Sequence, residues 1–77
     1  MGTRAFILIE TDVGMSQQVV DNLRSMKGIL SADVVTGLFD VIALIETADM
    51  TAMADIVTGQ VQGIQGLKHT ITCVAAG

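Results

Sequence analysis

The sequence predicts an α+β fold with the element order βαββαβ, in which four antiparallel strands form one sheet and two helices cover one of its faces. Three features support this prediction. Short apolar runs typical of strands alternate with stretches of helical periodicity. The run Leu8-Ile9-Glu10-Thr11 returns 36 positions later as Leu44-Ile45-Glu46-Thr47, at the equivalent point of a second strand. Gly37 separates two β-rich stretches near the middle of the chain, where a hairpin turn is expected.

The first half of the chain is predicted to form a strand over residues 4–10, a helix over residues 16–26 and a second strand over residues 29–36. The first strand is rich in residues that favour β-structure. Ser16 stands where its hydroxyl could cap the helix by accepting a hydrogen bond from an amide of the first turn. The apolar residues of this helix recur on one face, which is therefore expected to pack on the sheet.

The second half repeats this order. A strand begins at Asp40, Asp49 is placed to cap a helix over residues 49–61, and the last strand covers residues 67–74. Two right-handed βαβ units joined by a hairpin place the strands in the order 4-1-3-2, with both helices on one face. This arrangement is the ferredoxin-like sandwich, and we expect residues 1–77 to form one such domain.

Composition favours an oligomer that contacts neither nucleic acid nor membrane. Of the 77 residues, 51% are hydrophobic, which is more than a small monomer can easily bury. The net charge is −4 and the four basic residues do not cluster, so direct contact with nucleic acid is not expected. The apolar runs are far shorter than a membrane span. The single cysteine excludes an internal disulfide and fits a cytoplasmic location.

The predicted sheet has an apolar centre on both faces. Alternation along the strands assigns one set of side chains, which includes Leu30, Val34, Ile71 and Cys73, to the face beneath the helices. The opposite face should be polar if water covers it, but its centre is also apolar. We therefore expect a second molecule to cover this face in a homodimer. The predicted dimer interface consists of Phe6, Leu8, Val35, Ile42, Leu44 and Val74.

Asp40 is an unexpected carboxylate at the beginning of an otherwise apolar strand. One interpretation is a turn carboxylate that accepts hydrogen bonds from nearby amides. The other is capture of an amino acid, in which Asp40 binds the α-ammonium and amides of the loop bind the α-carboxylate. Thr70 and Thr72 are assigned to the same sheet face and could add hydroxyl groups.

The other polar residues do not form a recognisable catalytic or metal site. His69 has no sequence neighbour that could activate it, and together with Cys73 it offers fewer ligands than a zinc site requires. Glu10 and Glu46 occupy equivalent strand ends, where solvated carboxylates are a simpler interpretation than a catalytic pair. We expect no catalytic residue, no metal and no cofactor.

The middle and the end of the chain resemble the effector domain of the Lrp/AsnC family. Thr36-Gly37-Leu38-Phe39-Asp40, followed by an apolar strand, resembles the G-x-aromatic-D hairpin of that domain. Thr70-Ile71-Thr72 resembles the T-x-T of its last strand, and Gln65-Gly66-Leu67 resembles the approach to that strand. The likeness extends in order over nearly the whole chain.

The resemblance implies an amino-acid-sensing regulatory domain that forms homodimers through its sheets. Such dimers associate into octamers or similar rings and bind small effectors at the interfaces between dimers. Asp40 would bind the ammonium group of the effector. The ligand-binding residues implied by the resemblance are Thr36, Gly37, Leu38, Phe39, Asp40, Thr70 and Thr72.

The chain departs from full-length members of that family, which carry an N-terminal helix-turn-helix domain. These 77 residues have no room for one, so the chain resembles a stand-alone effector domain. This implies that it modulates transcription indirectly. It would do so by ligand sensing alone or by co-assembly with full-length Lrp/AsnC-type regulators.

Two other functions are compatible with the same predicted fold. A small enzyme of the dimeric α+β-barrel type, such as a monooxygenase or isomerase, would need polar catalytic groups in a pocket between helices and sheet. An ACT-like module binds amino acids, usually at a glycine-containing loop between the first strand and the first helix, and Gly14 permits this alternative.

Overall fold

The computed structural model describes residues 2–76, and its element order is βαββαβ as predicted. The neighbouring strands are antiparallel, and their order across the sheet is β2-β3-β1-β4. The predicted order 4-1-3-2 is the same order read from the other edge, so the ferredoxin-like sandwich is confirmed. The ends of the predicted domain, residues 1 and 77, lie outside the described residues. The elements are β1 (Thr3–Thr11), α1 (Ser16–Arg24), β2 (Ile29–Val34), β3 (Val41–Thr47), α2 (Met50–Gly59), a 3-10 turn (Val61–Gly63) and β4 (Leu67–Val74).

The central strands β1 and β3 form the floor of the core, and their helix-facing side chains match in size. Ala5 lies opposite Ile45, and Ile7 lies opposite Ala43, so each large side chain faces a small one. All four are fully buried. Helix α1 packs mainly against β2 and β3, and helix α2 packs against β3. The core therefore lies between the helices and the inner strands of the sheet.

Strand β4 lies beside this covered region, and its side-chain orientation differs from the prediction. Thr70 pairs with Ile9 and Thr72 pairs with Ile7, both of which are buried beneath the helices. Residues directly opposite in an antiparallel ladder point to the same face. The two threonines therefore lie on the helix side of the sheet, and their predicted assignment to the other face is wrong.

The same register moves the apolar residues of β4 to the face away from the helices. Ile71 lies opposite Leu8 and Cys73 lies opposite Phe6, so neither belongs to the helix side as predicted. Val74 pairs with the buried Ala5, which places Val74 on the helix side and removes it from the predicted dimer interface. We call the face away from the helices the open face, and its central residues are Phe6, Leu8, Ile42, Leu44, Ile71 and Cys73.

Strand β2 also departs from the predicted pattern. Leu30 and Val34, both assigned to the core, are 53% and 49% exposed. The pairing of β2 with β3 shifts between Ile29 and Ser31, which takes Leu30 out of the regular alternation. Val34 pairs with Val41 on the helix side, but it lies at the end of an edge strand where no helix covers it fully.

The two helices begin differently. Asp49 caps α2 as predicted, because its Oδ1 accepts a hydrogen bond from the amide of Ala52 over 2.8 Å. The predicted Ser16 cap is wrong: Met15 is the N-cap of α1, and Ser16 is the first helical residue. Within residues 2–76, no helix is long and apolar enough to cross a membrane.

Replacing Asp49 with alanine should lower the free energy of unfolding by about 1 kcal/mol, because the amide of Ala52 loses its acceptor. Asp55→Ala is a matched control, since Asp55 is an exposed aspartate of the same helix. Urea unfolding of both variants at one protein concentration measures the difference, because association would make stability depend on concentration. Equal stabilities of the two variants would contradict a role for the cap.

Candidate functional site

The loop between β2 and β3 leaves its backbone open at the end of the sheet. It is closed at its base by a hydrogen bond from the amide of Val35 to the carbonyl of Asp40, over 2.8 Å. Gly37 adopts φ +146°, a conformation that glycine tolerates better than other residues. Leu38 at the tip is 94% exposed. The amides of residues 36–39 form no hydrogen bond within residues 2–76, so they can donate to an acceptor from outside.

Asp40 connects this loop to the end of β1. Its amide donates to the carbonyl of Ile9 over 2.9 Å, and its Oδ2 accepts from the amide of Thr11 over 2.9 Å. The hydroxyl of Thr11 donates to the same oxygen over 3.4 Å. Asp40 is only half-buried, and its Oδ1 accepts no hydrogen bond from any described residue. One carboxylate oxygen is therefore structural, as the first interpretation predicted, while the other can still bind a ligand.

Thr11 extends this connection to the first helix. It is 7% exposed, and its Oγ1 lies 2.9 Å from the Oγ of Ser16, within hydrogen-bonding distance. Thr11 is a site residue that was not predicted from the sequence. The internal repeat could have indicated Thr11, because Thr47 is the equivalent residue of the second repeat. Thr47 is also buried, and its hydroxyl donates to the carbonyl of Asp49 over 2.8 Å. Each repeat thus uses its last threonine to fix the beginning of the helix that follows.

The threonines of β4 are not brought to the carboxylate of Asp40 within one chain. Thr70 pairs with Ile9, whose carbonyl binds the amide of Asp40, so strand β1 lies between the two residues. Two strand spacings correspond to roughly 10 Å between their backbones. The hydroxyl of Thr70 accepts from the side-chain amide of Gln62 over 2.6 Å. The predicted ligand residues therefore fall into two groups, one on the hairpin and one on β4.

The open face presents a continuous apolar centre to solvent. Phe6 is 46% exposed and Ile71 is 41% exposed, although they lie in the middle of their strands. Leu8, Ile42 and Leu44 are half-buried between them. Monomeric proteins rarely expose a contiguous apolar surface of this kind unless it binds something.

Ion pairs lie at the two ends of the open face. Arg4 Nε is 3.1 Å from Glu46 Oε2 at one end, and Lys68 Nζ is 3.9 Å from Glu10 Oε2 at the other. Exposed pairs of this kind contribute at most about 1 kcal/mol each. Glu10 and Glu46 are thus engaged in surface ion pairs at opposite ends of the sheet, which does not fit the geometry of a catalytic pair.

Among the described residues, the side chains buried between helices and sheet are almost all apolar. The largest fully buried side chains are aliphatic, and the buried polar residues in residues 2–76 are Thr11 and Thr47 at the strand ends. An enzyme of the α+β-barrel type would need polar groups in this space. His69 is exposed, and residues 2–76 contain no group of three or more His, Cys, Asp or Glu side chains arranged to hold a metal ion.

Comparison with known protein families identifies the chain. The family model of the Lrp/AsnC ligand binding domain matches residues 4–76. The chain therefore belongs to the Lrp/AsnC ligand-binding domain family, as the hairpin and β4 motifs indicated.

Individual relatives agree with this assignment. A curated relative, an uncharacterized HTH-type transcriptional regulator of Pyrococcus furiosus, is 28% identical over 97% of this chain and 52% of its own length. The chain thus spans about half the length of the curated relative it matches. The crystal structure of FFRP-DM1 is 28% identical and superposes with a TM-score of 0.92 over 96% of this chain and 99% of its own. A Neisseria meningitidis transcriptional regulator, solved as a complex with L-Met, is 18% identical and shares the fold, with a TM-score of 0.86 over 97% of this chain and 50% of its own.

Replacing Asp40 with alanine should lower the free energy of unfolding by about 1–3 kcal/mol, because the partly buried amide of Thr11 would lose its acceptor. Asp40→Asn keeps an oxygen at this position and should lose less. Asp12→Ala is the control, since Asp12 is exposed and its carboxylate accepts no hydrogen bond within residues 2–76. If urea unfolding shows Asp40→Ala to be as stable as Asp12→Ala, the carboxylate does not hold the hairpin.

Proposed function

We propose that this chain senses an amino acid at the β2–β3 hairpin and that a second subunit completes the binding site. The observation that carries this proposal is the juxtaposition at the hairpin. In a ligand-binding domain of the Lrp/AsnC family, Oδ1 of Asp40, which no described residue binds, lies at the base of a loop whose amides are unpaired within residues 2–76. The α-ammonium and the α-carboxylate of an amino acid carry the charges that these two groups bind.

The carboxylate of Asp40 and the amides of the loop would each bind a different group of the ligand. Oδ1 of Asp40 accepts hydrogen bonds from the α-ammonium, with a strength typical of bonds between charged groups. Successive backbone amides in a loop form a concave site for the α-carboxylate. The L-Met complex of the Neisseria regulator, which has the same fold, supports an amino acid as the class of ligand. The effector itself is not specified by these contacts.

The position of the β4 threonines supports a site shared between subunits. Thr70 and Thr72 lie on the far side of β1 from Asp40, so they contact a ligand at the hairpin only if they belong to another subunit. The proposed site therefore combines the hairpin of one subunit, from Thr36 to Asp40, with the β4 threonines of a neighbour. Such a site forms only after dimers have associated into an octamer or a similar ring.

The open face supports the first step of this assembly, a homodimer formed sheet to sheet. Burial of an apolar side chain such as Phe6, Leu8, Ile42, Leu44 or Ile71 contributes roughly 1.5–3 kcal/mol before the costs of association. Such an interface is isologous, because both subunits contribute the same face. The interface that we propose includes Ile71 and Cys73, which lie on the open face, and omits Val74, which pairs with the buried Ala5.

The proposed role is regulatory and not enzymatic. Two of the relatives described above are named as transcriptional regulators, and the side chains buried between helices and sheet within residues 2–76 are apolar apart from Thr11 and Thr47. The net charge of −4 favours indirect action in the cytoplasm over direct contact with nucleic acid. Co-assembly with full-length Lrp/AsnC-type regulators is one route for such action.

Isothermal titration calorimetry with the twenty amino acids tests the binding site. At least one amino acid should bind, and Asp40→Asn should weaken its binding about tenfold or more, because the variant loses the charge that holds the ammonium. Asn is chosen because it keeps an acceptor for the amide of Thr11. Asp12→Asn should bind like the wild type. Absence of binding, or equal binding by Asp40→Asn, would overturn the proposed site.

Replacing Phe6 with aspartate should convert the dimer into a monomer, because a charge at the centre of the open face would be buried without a partner. Val13→Asp is the matched control, since Val13 is fully exposed in the turn before α1. Light scattering after size exclusion at micromolar concentration measures both masses. A wild-type protein with the mass of one chain under these conditions would rule out the sheet-to-sheet dimer.

A further inference from the structure

A cavity lies beside α2, at the other end of the sheet from the hairpin. It has a volume of about 290 Å³ and lies between α2, the beginning of β2 and the end of β3. Its wall is largely apolar and includes Ala48, Ala52 and Ile56. Asp40 precedes the first residue of β3 and Thr47 is the last, so roughly 20 Å of strand separates this cavity from the proposed effector site.

This cavity carries one positive charge that no carboxylate neutralises. Lys27 lines it, and the ammonium of Lys27 has no carboxylate oxygen within 4.0 Å in residues 2–76. Glu46 also lines the cavity, but its carboxylate is paired with Arg4 at 3.1 Å. The carboxylate of Asp49 is occupied by the amide of Ala52. The charge of the site therefore favours an anion.

Gly28 keeps the wall of the cavity open next to Lys27. It adopts φ +96° in the turn between α1 and β2, a conformation that disfavours other residues. A Cβ at this position would lie 3.5 Å from Cδ1 of Ile56 and 3.5 Å from the carbonyl oxygen of Glu46. A longer side chain would therefore occupy the space that the cavity now offers.

We propose that this cavity binds a small aliphatic carboxylate. The carboxylate of the ligand pairs with the ammonium of Lys27, and its hydrocarbon chain packs against Ala48, Ala52 and Ile56. The volume lies at the lower limit of ligand pockets, about 300 Å³, which restricts the ligand to a few carbon atoms. Glu46 and Asp49 are both engaged elsewhere, so within residues 2–76 the site offers no free carboxylate to an ammonium group. It therefore selects carboxylates without an amino group, in contrast to the hairpin.

The test is calorimetric titration of the full chain with 4-methylpentanoate. The wild type should bind this probe. It should bind 4-methylpentanamide at least about tenfold more weakly, because the amide has the same shape without the charge. Lys27→Gln should weaken binding of the carboxylate to a similar extent. Lys68→Gln makes the same change of net charge at a lysine remote from the cavity and should bind like the wild type. Equal affinity for the two probes would overturn the proposal.

A second pair of variants tests the position of the ligand. Ala52→Leu places a larger side chain in the cavity and should abolish binding, whereas Ala54→Leu, on an exposed face of the same helix, should leave it unchanged. Asp40→Asn should also leave it unchanged, which separates this site from the hairpin. Lys27 is exposed, so Lys27→Gln leaves the core intact. Wild-type binding by Lys27→Gln, or no binding by the wild type, would therefore overturn the proposal whatever Ala52→Leu does to folding.

Discussion

The whole structure depends on the central ladder of β1 and β3, which is apolar on both of its faces. On the helix side, Ile7 lies opposite Ala43, and on the open face Leu8 lies opposite Ile42. The two helices cover only the first of these faces, because both pack on the same side of the sheet. An apolar face of this size is stable when a second layer excludes water from it. The association that we propose would therefore follow from the same strands that form the core.

The order of the elements could be predicted because periodicity and the internal repeat agree along the chain. The cap at Asp49 is a local feature and could be predicted as well. The orientation of β4 could not, because residues 70–73 alternate hydroxyl-bearing and apolar or thiol side chains on an edge strand that is largely exposed on both faces. Its register with β1, which shifts between Glu10 and Thr11, decides which set faces the helices.

Only part of the candidate site could be predicted from the sequence. Asp40 is visible in the sequence because a carboxylate is unusual at the beginning of an apolar strand. Thr11 could not be recognised in the same way, because a threonine at a strand end is common. The importance of Thr11 comes from its contacts with Asp40 and Ser16, which the fold brings close to it. Contacts between distant positions are set by the fold, and those between subunits are set by an assembly that the sequence of one chain does not describe. The contacts that we propose for Thr70 and Thr72 belong to the second kind.

The position of Cys73 links the chemistry of a thiol to the assembly of the protein. It is the only cysteine of the chain, it is exposed in the isolated subunit, and it lies opposite Phe6 on the open face. In a sheet-to-sheet dimer, an alkylating reagent reaches this sulfur only while the subunits are apart. The rate of alkylation then follows the fraction of separated subunits and falls as the protein concentration rises. The same shielding confines oxidation of the thiol to the dissociated form.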